Sequence, residues 1–235
     1  MLSPAKATRV DELMEKAQTA LQAGHWFEAE RVAQRALEVS HQASDFGRMR
    51  RILMPLLESR RQRMQIAGNK AKVSWIRGEL TEDHLVTQGL HMLEPPHVGA
   101  DARRIRLTAL RREVPALILC REPTTQLGLV PIVAIGLITV RARIAPPEHP
   151  DKPSKQWFLR ALELLGDAAV GMIDGGLDAV RQVDHGMSLI DSVPDHEGLH
   201  MTLIRLCEAA ERESSEAADV QEDKSLERAT DRESD

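Results

Sequence analysis

Residues 114–120, Val-Pro-Ala-Leu-Ile-Leu-Cys, form an apolar run between Glu113 and Arg121, and this run decides the fold class. Its length and its branched side chains predict a buried β-strand. Upstream, Asp101 to Arg112 is predicted as a helix and Leu85 to Leu93 as another strand. A strand, a helix and a strand within about 35 residues predict a right-handed βαβ unit, whose two strands are parallel.

The chain continues after this unit with a further strand, predicted from Leu129 to Ile144 and either straight or bent at Gly136. Because Pro131 has no N–H to donate, the beginning of that strand is predicted at a sheet edge or a bulge. Helical patterns lie on both sides of these strands. The expected fold is therefore α+β and mostly α, with helical hairpins flanking a small α/β domain.

The N-terminal residues have the spacing of three helices, and the first two resemble a tetratricopeptide (TPR) repeat. Small or apolar residues occupy the positions that this helical hairpin requires for close helix packing: Leu13, Ala17, Gly24, Trp26, Ala29, Ala33 and Ala36. The resemblance covers about 34 residues. It implies a helical surface that binds a protein or peptide partner.

Composition divides the chain into four segments. The last segment is acidic and nearly free of large apolar residues, so it cannot bury enough surface to order itself and is expected to be disordered. The predicted segments are a TPR-like helical segment (1–68), a small α/β domain (69–148), a C-terminal helical segment (149–212) and a disordered acidic tail (213–235).

Charge and cysteine content limit the class of protein. From Glu211 onward there are ten acidic and four basic residues, so the rest of the chain carries a net charge near zero. Two cysteines, Cys120 and Cys207, are too few for a disulfide framework and favour a reducing, cytoplasmic location. The longest apolar run, 127–140, is interrupted by proline and glycine and is too short to span a bilayer. Oligomeric state is left open.

The residues His196-Glu197-Gly198-Leu199-His200 match the H-E-x-x-H pattern and resemble the zincin metalloproteases. On a helix, His196 and His200 share a face and could hold zinc, with Glu197 as general base. Pro194, however, places the motif at a helix start, and no third ligand is within reach along that helix. The alternative is a polar first turn with a purely structural role.

A second candidate site follows from the parallel strands, because the loops at their carboxyl ends open on the same side of a sheet. These loops and the following helix start could hold a small anion. The predicted ligand-binding residues are His97, Arg103, Arg104, Arg121, Thr124 and Thr125. Ordinary surface loops are the alternative.

Six arginines on the third predicted helix form a further candidate: Arg48, Arg50, Arg51, Arg60, Arg61 and Arg63. They could contact nucleic-acid phosphates, but no aromatic residues lie between them for base stacking. A solvated helix face is the preferred interpretation, and nucleic acid is not an expected partner.

The residues therefore favour a non-enzymatic interaction or scaffold protein that binds a protein or peptide partner and needs no cofactor. A zinc-dependent hydrolase built on the H-E-x-x-H motif is the alternative. A sensor of a small anionic ligand is a third hypothesis.

Overall fold

A computed structural model describes residues 4–70, 72–81, 84–124 and 128–232, with the side chains of 5, 6 and 217–232 left out. Seven helices and five strands lie in these residues. In chain order they are α1 (Pro4–Gln22), α2 (Trp26–Gln42), α3 (Phe46–Gly68), β1 (Val73–Ile76), β2 (Gly89–Leu93), α4 (Gly99–Arg111), β3 (Ala116–Arg121), β4 (Val130–Ile135), β5 (Thr139–Ile144), α5 (Lys155–Gly171), α6 (Ala179–Ile190) and α7 (Glu197–Arg232).

The five strands form one mixed sheet in the order β1-β2-β3-β4-β5. The first three strands are parallel, while β4 is antiparallel to both β3 and β5. The predicted βαβ unit is confirmed as β2-α4-β3, and the α+β, mostly α fold class is confirmed with it. Strand β1 is not predicted by the sequence, because its four residues are too few to establish a period.

Helices cover both faces of the sheet, and the alternation of side chains in β3 assigns each face. Leu117 and Leu119 belong to the larger core, which α3 and α5 help to form. Ile118 and Cys120 point the other way and pack in a smaller cluster with Ile105 of α4. The α/β part is therefore a three-layer arrangement, with α4 on one side of the sheet and α3 and α5 on the other.

The helices on the larger core form a continuous layer in which α1 packs on α2, α2 on α3, α3 on α7 and α7 on α6. Alanines at 17, 29, 33 and 36 are all buried, which allows α1 and α2 to approach closely. One hydrophobic cluster contains side chains from both helical segments and from the sheet. The TPR resemblance stays a prediction.

Capping side chains determine where several helices begin. Ser154 accepts a hydrogen bond from the Trp157 backbone N–H at 3.1 Å and so caps α5. Asp178 caps α6 in the same way, through the backbone N–H of Arg181 at 2.9 Å. Each bond satisfies a backbone donor that has no partner within the helix.

The prediction for residues 129–144 is wrong in two respects. The segment forms two antiparallel strands, β4 and β5, with the turn at 136–138 between them. Pro131 does not lie at a sheet edge, because β4 is flanked by β3 and β5. The missing donor is tolerated since Pro131 lies beyond the paired part of β3, where its carbonyl accepts from the Glu122 N–H at 2.9 Å.

The C-terminal helix α7 continues to Arg232, into the segment from 213 for which composition predicts disorder. Disorder of that segment stays a prediction. In the described part of the chain, no helix is both long and apolar enough to cross a membrane.

Candidate functional site

The first histidine of the H-E-x-x-H motif caps α7. His196 lies directly before Glu197, the first residue of the helix, and its Nδ1 accepts the Leu199 backbone N–H at 3.1 Å. The lone pair of Nδ1 is therefore used, and the neutral ring carries its proton on Nε2. That N–H is directed at the carboxylates of Glu163 (3.3 Å) and Asp167 (3.6 Å) on α5.

This tautomer is the opposite of the one that binds a metal through Nε2. A metal-binding imidazole presents a lone pair to the ion and donates its other N–H to a nearby acceptor. The ligand atoms of Glu163, Asp167 and His196 lie within 4.8 Å of one another, a spacing that a cation could bridge. The His196 ring nevertheless offers these carboxylates a donor: its Nε2 hydrogen-bonds Glu163 and lies 3.6 Å from Asp167.

The second histidine of the motif is fully buried and engaged at both nitrogens. His200 Nδ1 donates to the His196 carbonyl at 3.0 Å, and Nε2 accepts from Arg60 Nη1 at 3.1 Å. Burial, together with the Arg60 charge, lowers the pKa of His200 to about 3. The His200 ring is thus neutral. The lone pair on its Nε2 already accepts the hydrogen bond from Arg60.

The zinc interpretation of the motif does not fit this donor set. Neither His196 nor His200 presents a lone pair to a shared position, and Glu197 is exposed and bound to Arg61 at 2.8 Å. The motif instead begins α7 and fixes it against α3 and α5.

A glycine on α5 makes room for the His196 ring. A Cβ atom at Gly166 would lie 2.0 Å from His196 Cγ, which no real contact allows. The ring therefore lies directly on the helix backbone between the two carboxylates, where only glycine permits it. This contact positions the turn that precedes α7.

The expectation of a solvated arginine face on α3 is wrong for Arg60 and Arg63, which are only 5% and 3% exposed. Helix α7 covers them, and both guanidinium groups bind the buried carboxylate of Glu30 on α2. Burial would raise the pKa of Glu30, but the attraction of the two arginines outweighs it and holds that pKa below its usual value. Charges so deeply buried are stable only when they are paired in this way.

The same two arginines hold the turn between α6 and α7. Arg60 Nη1 donates to the Pro194 carbonyl at 3.0 Å, and Arg63 Nη2 binds Asp195 Oδ1 at 3.1 Å. The position of residues 192–196 therefore depends on charges from α3. This turn forms one wall of a cavity.

The cavity has a volume of about 270 Å³ and lies where β3 and β4 separate. These two strands are paired only at Cys120–Val133 and Arg121–Ile132. Beyond those pairs the strands separate, and 117–118 of β3 and 134–135 of β4 line the space between them. The other walls are mostly apolar and are formed by Met64, Ala102, Leu159, Leu162, Leu165 and Val193.

Two arginines of α4, one turn apart, bring positive charge to this apolar cavity. Arg103 Nη2 binds Asp191 Oδ2 at 2.8 Å, and Arg106 Nη2 donates to the Asp191 carbonyl at 2.7 Å. Within the described residues, Arg103 Nε is buried without a hydrogen-bond partner, and Arg106 makes no second hydrogen bond. Burial lowers the pKa of Arg106, although a guanidinium stays charged. Asp191 thus binds one edge of each guanidinium group, and other N–H donors of Arg103 and Arg106 stay unpaired.

The structure does not assemble the anion crevice expected at the carboxyl ends of the strands. Arg121 binds Glu94 and stacks at 5.0 Å on the Trp75 ring, so its charge is neutralised. Arg104 is similarly engaged by Asp101 at 2.9 Å.

The other predicted crevice residues that the structure describes are dispersed. Thr124 is exposed, and Thr125 lies outside the described residues. His97 lines a separate open cleft beside Arg141 and Arg143. Of the five predicted residues that the structure describes, Arg103 alone lines the cavity between β3 and β4. Arg106 could have been chosen from its spacing to Arg103, but nothing in the sequence indicates that Asp191 joins them.

No family model, curated protein or solved structure matches this chain. The geometry of the cavity and of its charged groups is therefore the basis for assigning a function.

Proposed function

We propose that this protein binds a small, largely apolar molecule that carries a carboxylate, in the cavity between β3 and β4. The observation that carries the proposal is the buried, unpartnered Nε donor of Arg103 beside the sparsely bonded guanidinium of Arg106. A buried donor without an acceptor costs about 1–3 kcal/mol. A ligand carboxylate would supply acceptor oxygens and a compensating charge, and guanidinium groups suit it in geometry.

The size of the cavity limits the ligand. At about 270 Å³ it lies near the lower end of small-molecule sites. An arylalkanoate such as 3-phenylpropanoate, with roughly a dozen non-hydrogen atoms, is a suitable probe of that size. At about 0.5 kcal/mol for each such atom, the dissociation constant would be of the order of 0.1 mM.

Isothermal titration calorimetry with matched ligands tests the charge requirement. We expect 3-phenylpropanoate to bind and its uncharged amide to bind at least tenfold more weakly, because the amide cannot compensate the guanidinium charges. Arg106→Met should weaken carboxylate binding by a similar factor. The matched control is Arg104→Met, which removes an arginine of the same helix that does not line the cavity.

A second variant separates loss of binding from loss of fold. Ala134 lines the cavity, so Ala134→Met should fill part of it and prevent binding of both the acid and the amide. Thermal unfolding of each variant checks that the protein is folded. Equal affinity for acid and amide, or unchanged acid binding in Arg106→Met, would refute the proposal.

A further inference from the structure

We infer that the natural ligand of this cavity is a zwitterion, with a protonated amine recognised by Glu163 and Asp167 in addition to the carboxylate. This inference rests on the proposed function and names the chemical class of its ligand. The observation behind it is an uneven distribution of charge at the cavity: two arginines of α4 and one carboxylate of α5, Glu163, line it, and Asp167 lies next to Glu163 outside the lining.

The negative side is formed by two carboxylates one helical turn apart. Glu163 lines the cavity, and Asp167 follows it at i+4 on the same face of α5. Within the described residues, their ionic partner is His196, which binds both through Nε2. No lysine or arginine there neutralises them.

His196 is poorly suited to supply the missing positive charge. Its Nδ1 accepts the Leu199 N–H, and its ring is almost fully buried against α5. A second proton on Nδ1 would point directly at that N–H and remove the cap of α7. The two carboxylates therefore face the ring as a site of charge −2.

The arginines of α4 do not compensate the negative charge of α5. They have acidic neighbours of their own, and these leave only a small positive excess. Arg103 and Arg106 share Asp191, which leaves one positive charge in excess. Asp195 also lines the cavity, but it is bound to Arg63 in the buried ionic network. A simple carboxylate would compensate α4 and leave α5 with its full negative charge, whereas a zwitterion compensates α4 and also halves the negative charge on α5.

Ligands that differ only in an amine test this inference by calorimetry. The reference is 3-phenylpropanoate, and the amine derivatives are phenylalanine, with the amine near the carboxylate, and 3-[4-(aminomethyl)phenyl]propanoate, with the amine at the far end. Because each of the two carboxylates is about half exposed, we expect a modest gain, about three- to fivefold tighter binding for at least one derivative.

The double variant Glu163→Gln/Asp167→Asn assigns that preference to α5. It should abolish the gain from the amine and slightly strengthen binding of the reference acid, because an uncompensated negative charge is removed. Glu208→Gln, at an exposed position on α7, is the control and should leave the preference intact. All titrations are run with and without a chelator of divalent cations.

The outcomes distinguish this inference from the proposed function. If the reference acid does not bind, the proposed function fails. If it binds with no preference for either amine, the zwitterion inference is overturned while the proposed function stands. A preference that persists in the double variant, or that disappears when the chelator is added, also overturns it, the latter in favour of a metal bridge.

Discussion

Acidification should destabilise this protein through His200 well above the pH range in which carboxylates titrate. The pKa of His200 is about 3 in the folded protein, against about 6.5 in an unfolded chain. Below pH 6.5 the unfolded state therefore binds a proton that the folded state does not accept. The free energy of unfolding should be constant above about pH 7 and fall by about 1.4 kcal/mol for each pH unit below 6.5. At pH 5 the loss from this one residue is about 2 kcal/mol.

Urea unfolding followed by circular dichroism at pH 7.5 and pH 5.0 measures this loss. The informative variant is His200→Gln, because its amide oxygen can still accept from Arg60 but cannot be protonated in this range. Its unfolding free energy should depend less on pH, by about 2 kcal/mol across the interval. The control is His25→Gln, since the His25 side chain is 66% exposed. An equal pH dependence in the wild type and His200→Gln would show that His200 is not held neutral by its surroundings.

Two further predictions each compare a substitution with a control on the same helix, the first on α2 and the second on α5. Glu30→Ala leaves two buried guanidinium groups without their carboxylate. It should lower the free energy of unfolding by about 3–5 kcal/mol, or the melting temperature by about 10 °C. The control Glu28→Ala, at an exposed position, should have little effect. An equal effect of both would contradict the proposed burial of that carboxylate. Gly166→Ala forces a Cβ into the His196 ring and should lower the free energy of unfolding, measured in urea, by about 2–3 kcal/mol. In the control Gly171→Ala the added Cβ meets no atom within 4 Å, so this substitution should be neutral or stabilising. Stabilisation by Gly166→Ala would show that the ring does not lie against α5.

Local features of the fold could be predicted because their causes lie within a few residues. The cap at Ser154 needs only a hydroxyl before a helical pattern, and the β2-α4-β3 unit is predicted from the apolar run that became β3. The β4–β5 hairpin was missed because the apolar residues continue through its turn. Periodicity does not mark where such a run reverses.

The candidate site could not be predicted because its residues meet only through the tertiary fold. Arg106 and Asp191 are 85 positions apart, and Arg60 and His200 are 140 apart. The spacing of His196 and His200 predicts two positions on one helix, whereas His196 lies just before α7 and caps it, and His200 lies within its first turn. It does not predict which ring nitrogen carries a proton, and that is what decides between a metal ligand and a helix cap. Partner binding by the N-terminal helices stays a prediction that these contacts do not address.

The contact between α3 and α7 has a consequence for how the chain folds as it is made. Arg60 binds a carbonyl that is 134 residues further along, so at about 5–20 residues per second the ribosome needs roughly 7 to 27 seconds to supply it. During that time the first three helices can pair with one another, and Glu30 of α2 can already bind Arg60 and Arg63, but the side of α3 that meets α7 stays uncovered. With two guanidinium groups against the one carboxylate of Glu30, this side keeps one uncompensated positive charge until Asp195 is made. Arrival of α7 then completes the helical layer.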